Sequence, residues 1–318
     1  VKTSVLFLAR PGVNESLPKN YPIFFATSTN PGKDSSAKTT GTTDYQAIAQ
    51  TFSRFLSSQQ FSWAKNQPIA EYVSIQCETV SSSEVIHADR LDAEYYDPHA
   101  RAILRRLDAV SETQLASLVD PRIDRFKRTA VGKITYLDIS SVESKTGLTF
   151  PSDMLAADAP SRASYVVRPG DVLVSTVRPE RNVVALVTKS VGSKAIASNG
   201  FCVLRAKRIQ PEVLFAYCKT DAFKTMLSRH ATASMYPTVT DKDVLGVPFL
   251  PPPQDVSDKV VKLVRSGLDM IEKAHQQIAE AVALMNAHVH GEEPTEIASA
   301  VYEVRQERKL YRRTRPNG

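Results

Sequence analysis

Two hydrophobic rhythms divide this sequence. Over residues 131–206 apolar residues alternate with polar ones or run unbroken for a few positions, in KITYLDIS, SYVV, DVLVSTV, NVVALVTK and AIASNGFCVLRA. RPGD, RPERN and VGSK separate the runs, so the pattern predicts strands joined by turns. Further on, Val261, Val264, Leu268, Ile271, His275, Ile278, Val282, Met285 and Val289 step by three and four in strict alternation. This heptad pattern predicts a helix over residues 254–290, about 50 Å long at a rise of 1.5 Å per residue. Pro251, Pro252 and Pro253 stop any preceding strand and pre-order an extended entry into it.

Shorter segments fill the remainder. VKTSVLFLAR reads as a strand, YPIFFATS as a second apolar run, and NPGKDSSAKTTGTTD as a loop by composition. Asp44 caps a helical pattern with Ile48, Phe52 and Phe55 on one face. Arg90 to Ala109 predicts a turn and then an amphipathic helix, with Pro98 in its first turn and Ile103, Leu104 and Leu107 as the stripe. Pro211 to His230 has helical spacing through Val213, Leu214, Tyr217, Phe223 and Leu227; the polar loop ATASMYPTVTDKD and the extended VLGVPFLPPP follow. The fold class expected is α+β: a strand-rich domain, a long coiled-coil-forming helix and a partial α/β fragment at the N-terminus.

The heptad helix needs a partner for its apolar seam. No second stripe of similar length occurs in the 318 residues, which favours another copy or another subunit; an ordinary amphipathic helix on its own domain is the other reading. The oligomerisation face comprises Val264, Leu268, Ile271, His275, Ile278, Val282 and Met285, with His275 as its one ionisable group.

Charge and composition narrow the function classes. A hydrophobic fraction of 42% with 23% charged residues is that of a globular protein, and no apolar run is long enough for a bilayer. The formal net charge is +6, but the tail from Val301 carries six cations (Arg305, Arg308, Lys309, Arg312, Arg313, Arg315) against Glu303 and Glu307, six minus two or +4. That tail is read either as solvated or as nucleic-acid-seeking. Cys77, Cys202 and Cys218 are odd in number, widely spaced and outside any CxxC, which predicts reduced thiols, a cytoplasmic location and no zinc. The chain starts at Val1 without Met, and Val1 to Leu8 is expected to be an internal strand of a longer polypeptide.

Catalytic signatures are missing from the sequence: GxGxxG, the Walker loop, HExxH and GxSxG do not occur. Asp89, Asp92 and Asp97 in RLDAEYYDP read as turn and cap residues rather than metal ligands. Neither a catalytic residue nor a metal site is therefore expected.

Two stretches resemble parts of one system. VKTSVLFLAR followed by YPIFFATSTNPGKD resembles the end of the catalytic domain of N6-adenine DNA methyltransferases of type I restriction-modification systems. RPGDVLVSTVRPERNVVALV, SNGFCVLRA, ASMYPTVTDKDVLGVPFLPPP and the long helix after them resemble the specificity subunit of the same systems. The resemblance implies a methyltransferase C-terminal fragment over 1–80, a target-recognition domain over 81–253, a spacer and dimerisation helix over 254–290, and a basic tail over 291–318. It is half-size, with one recognition domain and one helix where the family has two of each. The chain also lacks the family's glycine-containing S-adenosylmethionine loop and its Asn/Asp-Pro-Pro-Tyr motif. Methyl transfer and S-adenosylmethionine are then expected in a partner subunit or upstream domain, and this chain alone is not an enzyme.

In such a module, loops at strand ends read bases or hold phosphates. The resemblance points first to VSTVRPERNV, where Arg178 and Arg181 flank Pro179 and Thr176 and Asn182 add polar donors. The second loop holds Arg229, His230, Ser234, Tyr236 and Thr238 around Pro237; Lys145, Lys189 and Lys194 are lesser phosphate candidates. The partners implied are double-stranded DNA, a methyltransferase subunit or domain, and a second long helix, with no membrane. Two other readings stay open: the recognition end of an active fused methyltransferase/restriction enzyme, and a scaffold that binds a methyltransferase subunit without reading DNA.

Overall fold

The computed structural model describes Leu6 and residues 18–33, 36, 38–41, 43–59, 77–120, 122–127, 131–232 and 236–290. The strand expected over Val1 to Leu8, the tail over 291–318 and Ser234 lie outside the described residues, Leu6 apart. In chain order the elements begin with β1 (Pro22–Ala26), α1 (Tyr45–Gln59), β2 (Cys77–Ser81), α2 (Ser82–Ala88), α3 (Pro98–Asp108) and β3 (Val119–Asp120). Then come β4 (Lys133–Leu137), β5 (Ser152–Leu155), β6 (Ala163–Val167), β7 (Asp171–Ser175), β8 (Val184–Leu186), β9 (Ala195–Ser198) and β10 (Phe201–Ala206). Helices close the series: α4 (Pro211–Cys218), α5 (Asp221–Ser228), α6 (Asp241–Leu245) and α7 (Gln254–His290). This is the α+β class, with the long helix at residues 254–290.

The described residues form two compact units, one drawn from 1–114, 178–180 and 221–250 and the other from 115–177, 181–220 and 251–318. In the first, β1 and β2 pair antiparallel, so the division expected near residue 80 falls within β2. Strand alternation sends Phe24 and Phe25 to opposite faces. Phe24 lies 5.3 Å from the rings of both Phe52 and Phe55 on α1, and Phe25 stacks on Tyr96 at 4.3 Å above Val80 and Val85. Asp97 accepts the Ala100 N–H at 2.8 Å with Pro98 in the first turn, the start that the sequence predicts for α3. Asp89 ends α2 in the left-handed region and Asp92 chelates the guanidinium of Arg90, so these aspartates are turn and cap residues.

Two four-stranded sheets make the second unit, in the orders β3-β10-β7-β8 and β5-β4-β9-β6. Their facing sides share one core that includes Leu137, Val167, Leu173, Ala185, Ala197 and Phe201. All of β7 is buried because α4 covers the outer side of its sheet, which explains an unbroken apolar run where alternation would mark a half-exposed strand. Between β9 and β10 the chain passes from one sheet to the other at Asn199-Gly200. A Cβ on Gly200 would lie 2.8 Å from Ile139 Cδ1, the end of a side chain that would have to move aside.

Three expectations are corrected. The helical run Pro211 to His230 is two helices, α4 and α5, because the chain turns at Lys219-Thr220, with the Thr220 hydroxyl donating to Tyr217 O at 2.8 Å. The segment read as polar loop and extended chain contains α6, started by a reciprocal cap in which Thr240 accepts from Asp243 N–H and Asp243 accepts from Thr240 N–H. The heptad seam of α7 is also divided. Leu268 is buried, and Val261, Val264, Ile271 and His275 are half-buried where the helix runs over α4 and His275 meets the Phe150 ring edge-on at 5.1 Å. Past His275 the covered residues are Ala279, Ala283 and Ala287, whereas Ile278, Val282, Met285 and Val289 are exposed. The first half of the seam is therefore occupied within its own unit; four-residue alanine spacing selects a different face for the second.

Candidate nucleic-acid interface

The most distinctive motif, RPGD at Arg168 to Asp171, is a brace. Gly170 takes a positive φ of 93°, and the Asp171 carboxylate, almost wholly buried, accepts the Arg168 N–H at 3.0 Å. The same carboxylate receives Arg205 through Nε at 2.9 Å and a terminal nitrogen at 2.8 Å, the two-pronged geometry that suits a guanidinium. The hydrogen bond to Asp171 raises the Arg205 pKa. This turn therefore locks β7 to β10 and presents no spare charge from the pair.

The next turn, residues 176–182, distributes its polar groups between the two units. Thr176, expected as a donor to DNA, is buried in the second unit, and its hydroxyl and N–H both donate to Gly200 O, at 3.0 and 2.9 Å. Asn182 donates through Nδ2 to Lys219 O at 3.1 Å, fixing the loop before α5. Both amide and hydroxyl are thus committed to backbone. Arg181 is exposed, and among the described residues no carboxylate pairs with it.

Arg178 belongs to the first unit and is built differently. Its backbone is left-handed, φ 53°, and its N–H donates to Pro237 O at 2.7 Å. Its guanidinium stands 5.1 Å from the centre of the Tyr236 ring, which is 63% exposed. Thr232 and Thr238 exchange backbone hydrogen bonds of 2.9 and 3.0 Å, closing the loop on which Tyr236 sits. Arg178, Tyr236 and Thr238 are therefore brought together as an anchored arginine-tyrosine platform. Among the described residues no carboxylate pairs with the Arg178 guanidinium.

Arg229 and His230 face inward instead. The Arg229 guanidinium lies 4.0 Å from the centre of the Tyr95 ring, Arg90 lies 4.8 Å from it, and His230 meets it edge-on at 5.4 Å. Burial lowers the Arg229 pKa, and its Nε is buried without a hydrogen-bond acceptor. Burial, reinforced by Arg229, pushes His230 down to about 4, although Asp243 lies 3.5 Å from its Nδ1. His230 is accordingly neutral near pH 7. The lesser candidates Lys145, Lys189 and Lys194 are exposed. Among the described residues no cluster of His, Cys, Asp and Glu is arranged for a metal, and no helix is long and apolar enough to cross a membrane.

With this geometry in view, comparison with known proteins gives one kind of likeness. No family model matches the chain, and no curated protein does. Among solved structures it is similar to the HsdS subunit from Thermoanaerobacter tengcongensis, at 31% identity and a TM-score of 0.44, over 54% of this chain and 46% of that one. A structure described as that of complex assembly and conformational transition of the type I R-M system is also 31% identical, with a TM-score of 0.43, over 56% of this chain and 46% of the other. The chain spans less than half the length of the two chains that it matches.

Proposed function

We propose that this chain reads DNA sequence for a type I-like restriction-modification assembly and directs an adenine methyltransferase to its target, without performing chemistry itself. The observation that carries the reading is the Arg178-Tyr236 platform. A guanidinium with no carboxylate partner among the described residues stands beside an exposed aromatic ring, on a residue whose backbone is held by a hydrogen bond at a strained φ. Strained backbone costs free energy and persists where function or surrounding structure demands it. A planar guanidinium matches the acceptors of guanine in the major groove or a phosphate, and tyrosine supplies an apolar face with a polar tip. The residue pattern over 131–290 is the second support.

S-adenosylmethionine and the methyl-transfer step belong in this reading to a methyltransferase subunit or upstream domain. The exposed Ile278, Val282, Met285 and Val289 leave the C-terminal half of α7 available to a second long helix. Selection from a random duplex library, with the methyltransferase companion present, tests the reading. The expected result is enrichment of one sequence, lost or relaxed in Arg178→Ala with a binding penalty of about 1–3 kcal/mol at the read base. A folded complex that enriches no sequence would reject DNA reading and leave a scaffold role.

A further inference from the structure

A second surface, on the other unit, has a charge pattern that neither loop contains. Residues 122–127, RIDRFK, lie antiparallel to β6: Arg125 pairs with Tyr165, Phe126 N–H donates to Ser164 O at 2.9 Å, and Val166 N–H donates to Asp124 O at 2.8 Å. Ile123 and Phe126 turn inward onto the two hydrophobic clusters of that unit, while Arg122, Arg125 and Lys127 are exposed. Arg125 lies over the Tyr165 ring at 4.3 Å, which fixes its guanidinium against the sheet. Exposed Arg162 and Arg168 flank β6 at its start and end. The antiparallel register therefore sets Lys127 toward the Arg162 end and Arg122 toward the Arg168 end.

Five cations thus follow one sheet edge, with Asp124 the one carboxylate inside the segment. Among the described residues none of Arg122, Arg125 and Lys127 is in an ion pair; the nearby Asp120 accepts the Arg122 backbone N–H instead. At about 3.3 Å per residue the segment is roughly 20 Å long, the length of about six base pairs measured along the DNA axis. We infer that the edge formed by Arg122, Arg125 and Lys127, extended by Arg162 and Arg168, is a phosphate-tracking surface that seats duplex DNA independently of its sequence. The inference rests on the DNA-reading function proposed above. Charged residues on a sheet edge also prevent strand-to-strand aggregation, a role that needs no DNA.

The test uses the full chain, the double variant Arg122→Gln/Lys127→Gln and a random-sequence duplex, with the binding constant followed against salt. Arg125 is left in place because it covers Tyr165. Loss of two phosphate contacts is expected to make the slope of log K against log salt shallower by about 2, while the ratio of preferred to random duplex affinity stays the same. Arg122→Lys/Lys127→Arg is expected to restore the slope. A wild-type chain that binds no duplex overturns the DNA-reading function and this surface with it. If the wild type binds and the soluble double variant keeps its slope, this surface alone is overturned.

Discussion

Arg168-Pro169 and Arg178-Pro179 open two turns of similar sequence, and the structure treats them in opposite ways. At the first, the carboxylate is internal and paired: Asp171 is buried and binds Arg205 with two contacts of 2.9 and 2.8 Å, while the Arg168 side chain stays exposed. At the second, Arg178 has no carboxylate partner among the described residues, its backbone is left-handed, and its neighbour Tyr236 is open to solvent. The same contrast separates two arginine-tyrosine pairs of the first unit. Arg229 on Tyr95 is desolvated and hemmed by Arg90, His230 and Asp243, whereas Arg178, itself half-buried, stands beside the exposed ring of Tyr236. Neither the Arg-Pro dipeptide nor the stacking geometry marks an interface. What separates these sites is whether a buried partner claims the charged group.

The contrast breaks first at Asp171. Asp171→Ala leaves the Arg205 guanidinium, with 11% of its side chain exposed, without its counter-ion, and is expected to cost about 3–5 kcal/mol of stability in urea unfolding. A near-neutral result would mean that the RPGD turn is not a brace.

Acid probes the interior arginine-tyrosine pair next. His230 titrates at about 4 in the folded chain against 6.5 for the free side chain. The unfolded state therefore binds the proton more readily between those values, and stability falls as pH drops from 6.5 toward 4, by at most about 3 kcal/mol. His230→Gln should flatten that part of the pH profile; an unchanged profile would place His230 in water.

Arg178→Gly sharpens the other side. Removing a non-glycine residue from φ 53° is expected to stabilise the chain by up to about 1 kcal/mol while weakening duplex binding by about 1–3 kcal/mol. Gains in both would remove Arg178 from the interface. The smallest effect belongs to Tyr236→Leu, which withdraws the ring beside the guanidinium: a binding loss of about 0.5–1 kcal/mol with unfolding unchanged.

Much of the fold was legible because the relevant signals are local. Alternation and turn residues located β4, β6, β7, β8, β9 and β10, and the three prolines and the heptad marked the helix at Gln254–His290. Asp97 with Pro98 announced α3. The reciprocal cap of Thr240 and Asp243 was equally local, a Thr three residues before an Asp, and was passed over inside a polar stretch. The basic run around Arg122 to Lys127 was visible as composition, but its attachment to β6 required a partner strand from residues 163–167.

The candidate site was legible only in part. The resemblance pointed first to the loop of Thr176, Arg178, Arg181 and Asn182 and second to that of Arg229 and Tyr236, and within each loop the residue types alone did not separate free groups from committed ones. Tertiary structure divided them by supplying or withholding partners: Gly200 O for Thr176, Lys219 O for Asn182, Tyr95 for Arg229, and an open ring for Arg178. The long helix shows the same limit, since periodicity identifies apolar positions while neighbours decide which are covered. By itself the sequence determined the elements and their order, because helix and strand preferences act between residues a few positions apart. Which polar groups remain free for another molecule was decided only on folding, because a hydrogen-bond partner is chosen by proximity in space and not along the chain.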